Sequence, residues 1–189
     1  MADLGTKMGI SEFAGLDQNK PPLSLAIGGV ETSLFNLTQA YQVVANQGTK
    51  VSLSLIDQIS NYQGQVIFQN QPTTTQVISP QTASTLYSIL SDPKLRQDAF
   101  GHPAYFSFPN HQVAIKSGTS NDLRDNATVS FTPDFIVATW VGNNDSTSMR
   151  HVASGYSGAS VIMHQITSYL LANPTTSSIN TTQNLAKGR

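Results

Sequence analysis

A lysine followed by small polar residues gives this sequence its sharpest chemical signal. The run Lys-Ser-Gly-Thr-Ser at 116–120 follows the apolar residues 113–115, which predicts that it ends a β-strand. A lysine beside hydroxyls provides positive charge and hydrogen-bond donors, and a glycine lets another backbone approach closely. We call residues 116–120 the ledge; its chemistry suits recognition of a carboxylate. The pattern alone also fits an exposed strand end or turn.

The elements around the ledge are predicted to form an antiparallel sheet. Strands are expected near 112–118, 126–131 and 134–142. The last of these is almost continuously apolar or β-prone, which is typical of a central strand, and Trp140 within it is predicted to be core. A helix over 157–171 follows, with apolar residues at helical spacing.

The first half of the chain is predicted to supply further helices and a hairpin. Ser33 is a candidate N-cap for a helix that ends before Gly48, and Ser79 begins a second helix that ends at Asp92. Residues 94–111 lack a period and are interpreted as a loop. Alternating apolar residues predict the hairpin: Val51, Leu53, Leu55, Val66 and Phe68. The fold class is therefore α/β, an antiparallel sheet covered by helices.

Composition excludes several classes of function. Charged residues are 11% of the 189 residues, and ten basic against eleven acidic residues leave a net charge of -1, so nucleic acid is not an expected partner. The chain has no cysteine, which removes thiolate metal sites and disulfides. The four histidines lack metal-ligand spacing, so neither a metal nor a cofactor is expected: His102, His111, His151 and His164.

Beyond the ledge, further motifs follow one another in a fixed order. They are Asn121 to Asn126, Phe131 to Asp134, Trp140 to Asp145, Ser154-Gly155 and Gly158-Ala159, with residues 23–48 upstream. Together with the ledge, this series resembles the penicillin-binding transpeptidases, most closely class A penicillin-binding proteins, from about residue 8 to residue 171. Ala127 and Ser130 depart from the pattern, because the family usually has Trp and Gly there.

The resemblance implies a β-lactamase/transpeptidase-like fold and acyl transfer by a serine nucleophile, which needs three motifs. Only the ledge motif is convincing. The sole Ser-x-x-Lys begins at Ser91, at the end of a predicted helix, and the sole Ser-x-Asn begins at Ser178 in the tail. We therefore expect residues 1–172 to be the C-terminal portion of a transpeptidase domain without its nucleophile, inactive in isolation, and residues 173–189 to be a disordered tail.

The resemblance also implies a role for each residue of the ledge. Lys116 would be catalytic, placing positive charge in the proton network of the site. Ser117 and Thr119 would bind the carboxylate of a stem peptide ending in D-Ala-D-Ala, or of a β-lactam, beside the open backbone of Gly118. The backbone of Ser120 would donate to the oxyanion.

Expected partners of this chain are peptidoglycan stem peptides, β-lactams and the missing N-terminal half of the domain. The parent protein would act on the extracytoplasmic side of a bacterial membrane, anchored by a segment outside this chain. A different hypothesis remains open at this stage. It is a non-catalytic binding or scaffolding module that keeps the transpeptidase half-fold.

Overall fold

A computed structural model describes residues 1–17, 19–101, 104–150 and 157–174. Its helices are α1 (Ala2–Met8), α2 (Leu34–Ala45), α3 (Pro80–Ser91), α4 (Pro93–Phe100) and α5 (Ala159–Ala172). Its strands are β1 (Thr49–Val51), β2 (Gln58–Ser60), β3 (Val66–Gln69), β4 (Thr74–Gln76), β5 (Ala114–Thr119), β6 (Asp125–Phe131) and β7 (Ile136–Gly142). The predicted helices at 33, 79 and 157 and the three predicted strands around the ledge are confirmed within two residues.

Helices α2 and α3 begin where their capping residues predict. The Ser33 hydroxyl accepts from the Asn36 N–H at 3.1 Å, and the Ser79 hydroxyl accepts from the Thr82 N–H at the same distance. Pro80 occupies the first helical position, where its missing N–H has no consequence. Local sequence therefore fixes where both helices start.

The strands β5, β6 and β7 form one antiparallel sheet with β6 in the centre. Ile115 and Val137 lie on one face and pack against Met163 of α5. Ala114 and Phe131 lie on the other face, which packs against α2 and α3, with Val44 in the same cluster. The helices thus cover both faces at one end of the sheet. This arrangement is the α/β fold class expected from the sequence.

Two predictions for the first half are wrong in part. Strand β3 pairs with β2, not with the segment at Val51, and Val51 pairs with Thr74 of β4 instead. Residues 94–111 are not all loop, because α4 and a 3-10 turn at Ala104–Phe106 lie within them. Helix α4 begins here because the Asp92 carboxylate accepts from the Lys94 N–H at 2.7 Å and caps the new helix.

The third strand of the sheet forms as expected, but the central position and the buried Trp140 predicted for it are not found. Among the described strands, β7 lies at an edge and β6 is central. Trp140 is 42% exposed, so it is not a core residue, and its indole N–H donates to Asp125 at 3.1 Å. Its face of the sheet is covered by α2 only near Phe131, which leaves Trp140 uncovered.

Some predictions concern residues that the structure does not describe. The residues concerned lie outside the described part of the chain: Ser154-Gly155, His102, His151, Ser178 and residues 175–189 of the predicted tail. In the parts of the chain that are described, no helix has both the length and the apolar composition that a bilayer crossing requires. The division at residue 172 stays a prediction.

Candidate functional site

The ledge lies on strand β5, and the outer edge of that strand is open. Strand β5 pairs with β6 on one side, and no described strand pairs with it on the other. An edge strand presents a row of N–H and C=O groups that can bind an extended ligand. The ledge lies at the end of a strand, as its residue pattern predicts, and this strand is at the edge of its sheet.

Hydrogen-bond alternation decides which backbone groups of the ledge face outward. The Ser120 N–H donates to the Asp125 carbonyl oxygen at 2.9 Å. In an antiparallel pair every second residue bonds to the partner strand, so Gly118 and Lys116 also bond inward to β6. The N–H and C=O groups of Ser117 and Thr119 therefore point away from β6, toward the open edge.

The hydrogen bonds of Ser120 do not favour the donor role expected for its backbone. Its N–H already donates to Asp125, and its hydroxyl both accepts from the Asp125 N–H at 2.8 Å and contacts the Asp125 carboxylate at 3.0 Å. A donor that is occupied in the hairpin is not available to a developing oxyanion. The outward N–H nearest to Gly118 on its C-terminal side belongs to Thr119.

Lys116 supplies the positive charge of the ledge. Its side chain is exposed, and its ammonium group donates to the Ser117 carbonyl oxygen at 2.6 Å. No ion pair joins Lys116 to an acidic residue in the described part of the chain. A charge that is held at the strand edge by a backbone carbonyl, without a carboxylate partner, is suited to an anionic ligand.

Gly118 leaves space on the same face as Lys116. A Cβ added at this residue would meet no heavy atom within 4 Å, and its φ is not in the left-handed region. Packing and backbone conformation therefore do not require glycine here. The neighbouring residue of β6 on this face is Ala127, which is also small. Two adjacent positions on this face, Gly118 and Ala127, therefore leave room beside Lys116.

Arg96 secures the start of the ledge strand, a role that sequence analysis missed. Its guanidinium group donates to the carbonyl oxygens of Leu90 at 3.1 Å, Val113 at 2.8 Å and Ser91 at 3.3 Å. It therefore ties the C-terminus of α3 to the residue before β5. Burial lowers the pKa of Arg96, and the nearby Asp92 carboxylate opposes this shift.

Ser91, the only serine with a lysine three residues later, is engaged in packing contacts. It is 3% exposed and is the last residue of α3. Its hydroxyl donates to the Ser88 carbonyl oxygen at 3.3 Å and accepts from the Gln112 side chain at 2.9 Å. A nucleophile needs a base within hydrogen-bond reach and an accessible oxygen. Ser91 lies at the end of a helix, as the sequence predicts.

The comparison with protein families decides where the chain belongs. A family model of the penicillin-binding protein transpeptidase domain matches residues 3–159. The chain belongs to this family. Penicillin-binding protein 1A of Neisseria lactamica is 35% identical over 141 residues, which cover 72% of this chain and 17% of that protein. Penicillin-binding protein 1A of Aquifex aeolicus is 33% identical over 146 residues, which cover 77% and 20%.

The relatives identify the chain as part of a class A penicillin-binding protein transpeptidase domain, and solved structures share its fold. The structure of penicillin-binding protein 1A from Haemophilus influenzae matches with a TM-score of 0.75 and 17% identity, covering 92% of this chain and 31% of that chain. PonA1 from Mycobacterium tuberculosis matches with a TM-score of 0.71 and 20% identity, covering 91% and 49%. The chain spans about a fifth of the length of these curated relatives.

Metal-binding side chains are scattered over the described residues. No three of the His, Cys, Asp and Glu side chains there lie together in a group that could hold a metal ion. The expectation that neither a metal nor a cofactor takes part stays a prediction.

Proposed function

We propose that this chain forms part of a peptidoglycan D,D-transpeptidase, which cross-links stem peptides ending in D-Ala-D-Ala through a serine acyl-enzyme and binds β-lactams. In this proposal the ledge recognises the terminal carboxylate. Lys116 supplies positive charge, and the hydroxyl groups of Ser117 and Thr119 donate hydrogen bonds. Gly118 keeps the approach to the strand open.

One observation carries the proposal. Lys116 has no carboxylate partner among the described residues, and it stands at an open strand edge beside a glycine that neither packing nor backbone conformation requires. Neither packing nor an ion pair among the described residues accounts for them. A carboxylate ligand explains all of them, because it pairs with the cation and needs space next to the backbone.

The outward N–H of Thr119 extends the proposal to the acyl-transfer step. A tetrahedral intermediate develops negative charge on the former carbonyl oxygen, and a fixed backbone N–H stabilises that charge. We assign this donor role to Thr119 in place of Ser120. The nucleophile is assigned to a segment outside this sequence, since the Ser91 hydroxyl is buried and occupied.

The missing part of the domain is proposed to cover the face that carries Lys116 and Trp140. Helix α2 covers this face near Phe131, whereas Trp140 stays 42% exposed. A nucleophile-bearing element that packed there would stand beside the ledge. The same proposal places the parent protein on the extracytoplasmic side of the membrane, where peptidoglycan is assembled.

Binding of a peptide carboxylate is the direct test. A peptide ending in D-Ala-D-Ala, titrated into the isotope-labelled chain and followed by NMR, is expected to shift the amide signals of Ser117 and Thr119. The same peptide with a C-terminal amide serves as the matched control, and we expect it to bind at least tenfold more weakly. Lys116→Met should reduce the difference between the two peptides, because it removes the positive charge and leaves the two hydroxyl donors. Equal affinity of the unmodified chain for both peptides would refute the proposal.

A fluorescent penicillin tests the assignment of the nucleophile. The chain alone is expected to remain unlabelled under denaturing electrophoresis, because a covalent bond needs an activated serine. Labelling that disappears in Ser91→Ala would show that the nucleophile lies in this chain. Peptide binding without labelling by the longer parent protein would favour the scaffolding module instead.

A further inference from the structure

A buried asparagine lies directly beneath the ledge. Asn126, the second residue of β6, is fully buried and stands opposite Thr119 in the register of the β5–β6 pair. Thr119 directs its backbone groups outward, so the two residues form a non-hydrogen-bonded pair, in which opposite side chains come closest. The Asn126 amide and the Thr119 hydroxyl consequently share one face of the sheet.

The contacts of Asn126 fix the orientation of its amide. Its Oδ1 accepts from the Ala159 N–H at 2.8 Å, at the first residue of α5. A backbone N–H can only donate, so the oxygen must face Ala159 and the NH₂ group must face β5. The NH₂ group donates to Thr119 Oγ1 at 3.2 Å and lies 3.4 Å from the Gly118 carbonyl oxygen.

These contacts determine what the Thr119 hydroxyl can do. In its contact with Asn126, the hydroxyl oxygen is the acceptor. Its own hydrogen is therefore not used in that contact and can be donated to another group. A hydroxyl that accepts one hydrogen bond also becomes a stronger donor, because bonds in a chain polarise one another.

We propose that Asn126 is a positioning residue for the ledge, which holds the Thr119 hydroxyl in one rotamer with its hydrogen directed at the ligand carboxylate. The proposal rests on the proposed function, since it deepens the role of Thr119 in carboxylate recognition. Asn126 also joins the first turn of α5 to the ledge through a single side chain.

The first experiment measures the Thr119 rotamer without any ligand. Three-bond scalar couplings in the isotope-labelled chain are expected to show one χ1 rotamer in the unmodified protein and rotamer averaging in Asn126→Leu. Asn126→Asp is the second variant, because it keeps an acceptor for Ala159. It should retain a single rotamer, but its carboxylate takes the Thr119 hydrogen inward. A Thr119 rotamer that stays fixed in a folded Asn126→Leu chain would overturn the positioning role.

Thr128→Val is the matched control. Thr128 lies two residues along β6 on the same face, is equally buried, and its hydroxyl has no partner in the described part of the chain. Removal of this hydroxyl should leave both the Thr119 couplings and peptide affinity unchanged. A change as large as that of the Asn126 variants would mean that any disturbance of the buried face moves Thr119, and this would overturn the specific role.

The second experiment measures the affinity of the chain for the peptide carboxylate. Asn126→Asp should weaken binding of the D-Ala-D-Ala peptide about tenfold, and Thr119→Val should weaken it to a similar degree. In the Thr119→Val background, Asn126→Asp should have no further effect, because its target is gone. Additive losses would overturn the proposal. A chain that binds the acid and amide peptides equally well refutes the proposed function instead, and the couplings still decide the role of Asn126.

Discussion

Gly48 and Gly118 each belong to a motif that the resemblance singles out, yet the structure assigns them different causes. Gly48 follows α2 with a φ of +87°, and an added Cβ would overlap the Ile78 carbonyl oxygen. Gly118 has an ordinary strand φ and open space around its missing Cβ. The fold therefore requires glycine at position 48 but not at position 118, where the proposed function assigns the free space to a ligand.

Gly48→Ala should cause the largest effect. The new methyl group would both overlap the Ile78 carbonyl oxygen and force an unfavourable φ, so we expect a loss of about 3 kcal/mol in the free energy of unfolding, measured with urea. Gly64→Ala is the matched control. Its φ is +80°, but nothing lies within 4 Å of the added Cβ, so the loss should be only about 1 kcal/mol. Equal losses would show that overlap at Ile78 is irrelevant.

Gly118→Ala should behave in the opposite way. Stability should stay within about 0.5 kcal/mol or rise slightly, because alanine suits a strand better than glycine when the space is open. Affinity for the D-Ala-D-Ala peptide should fall at least tenfold, since the methyl group occupies the space beside Lys116. Unchanged affinity, measured by the same NMR titration, would break the contrast between the two glycines.

Glu12→Gln tests a stabilising contact of the fold at the other end of α2, its N-terminus. The pKa of Glu12 is lowered from 4.5 to about 2 by its own backbone N–H and by Asn36, with smaller contributions from Ser33 and Thr32. The unfolded chain therefore binds the proton more readily, and the stabilisation is present above pH 4.5 and lost as the pH falls toward 2. The melting temperatures of the unmodified chain and of Glu12→Gln, measured from pH 7 to 2, should converge at the acid end. A constant difference would contradict this assignment.

Arg124→Ala should have the smallest effect. Arg124 follows the ledge and pairs with Asp122 at 3.4 Å, but both side chains are more than half exposed. Exposed pairs of this kind contribute little, so the change in unfolding free energy should stay within about 0.5 kcal/mol. Peptide affinity provides the second measurement. A larger loss of affinity in Arg124→Ala than in Asp122→Ala would assign Arg124 a role in steering the carboxylate.

Local signals in the sequence were sufficient for some elements. Ser33 and Ser79 mark helix starts because capping involves only the next three residues, and the strands around the ledge follow from short apolar runs. Asp92 shows the limit of such signals. It ends α3 and also caps α4, so reading it only as a terminator hid a helix whose apolar residues are sparse.

Non-local contacts account for the remaining errors. Val51 pairs with Thr74, a partner that no turn signal beside either residue identifies. Trp140 is apolar by type, but its exposure depends on how far α2 extends across the sheet. Residue types suggested the ledge, and its expected role came from the resemblance. The occupied N–H of Ser120 and the contact between Asn126 and Thr119 needed the register of the hairpin.

The open edge of β5 has a second consequence, for the behaviour of the chain in solution. A row of backbone groups without a partner strand is a template for any extended polypeptide, including another copy of the same strand. Lys116 lies in the middle of this strand. Two copies aligned about this residue would bring two ammonium groups together, so the cation that attracts an anionic ligand also acts as a gatekeeper against self-assembly.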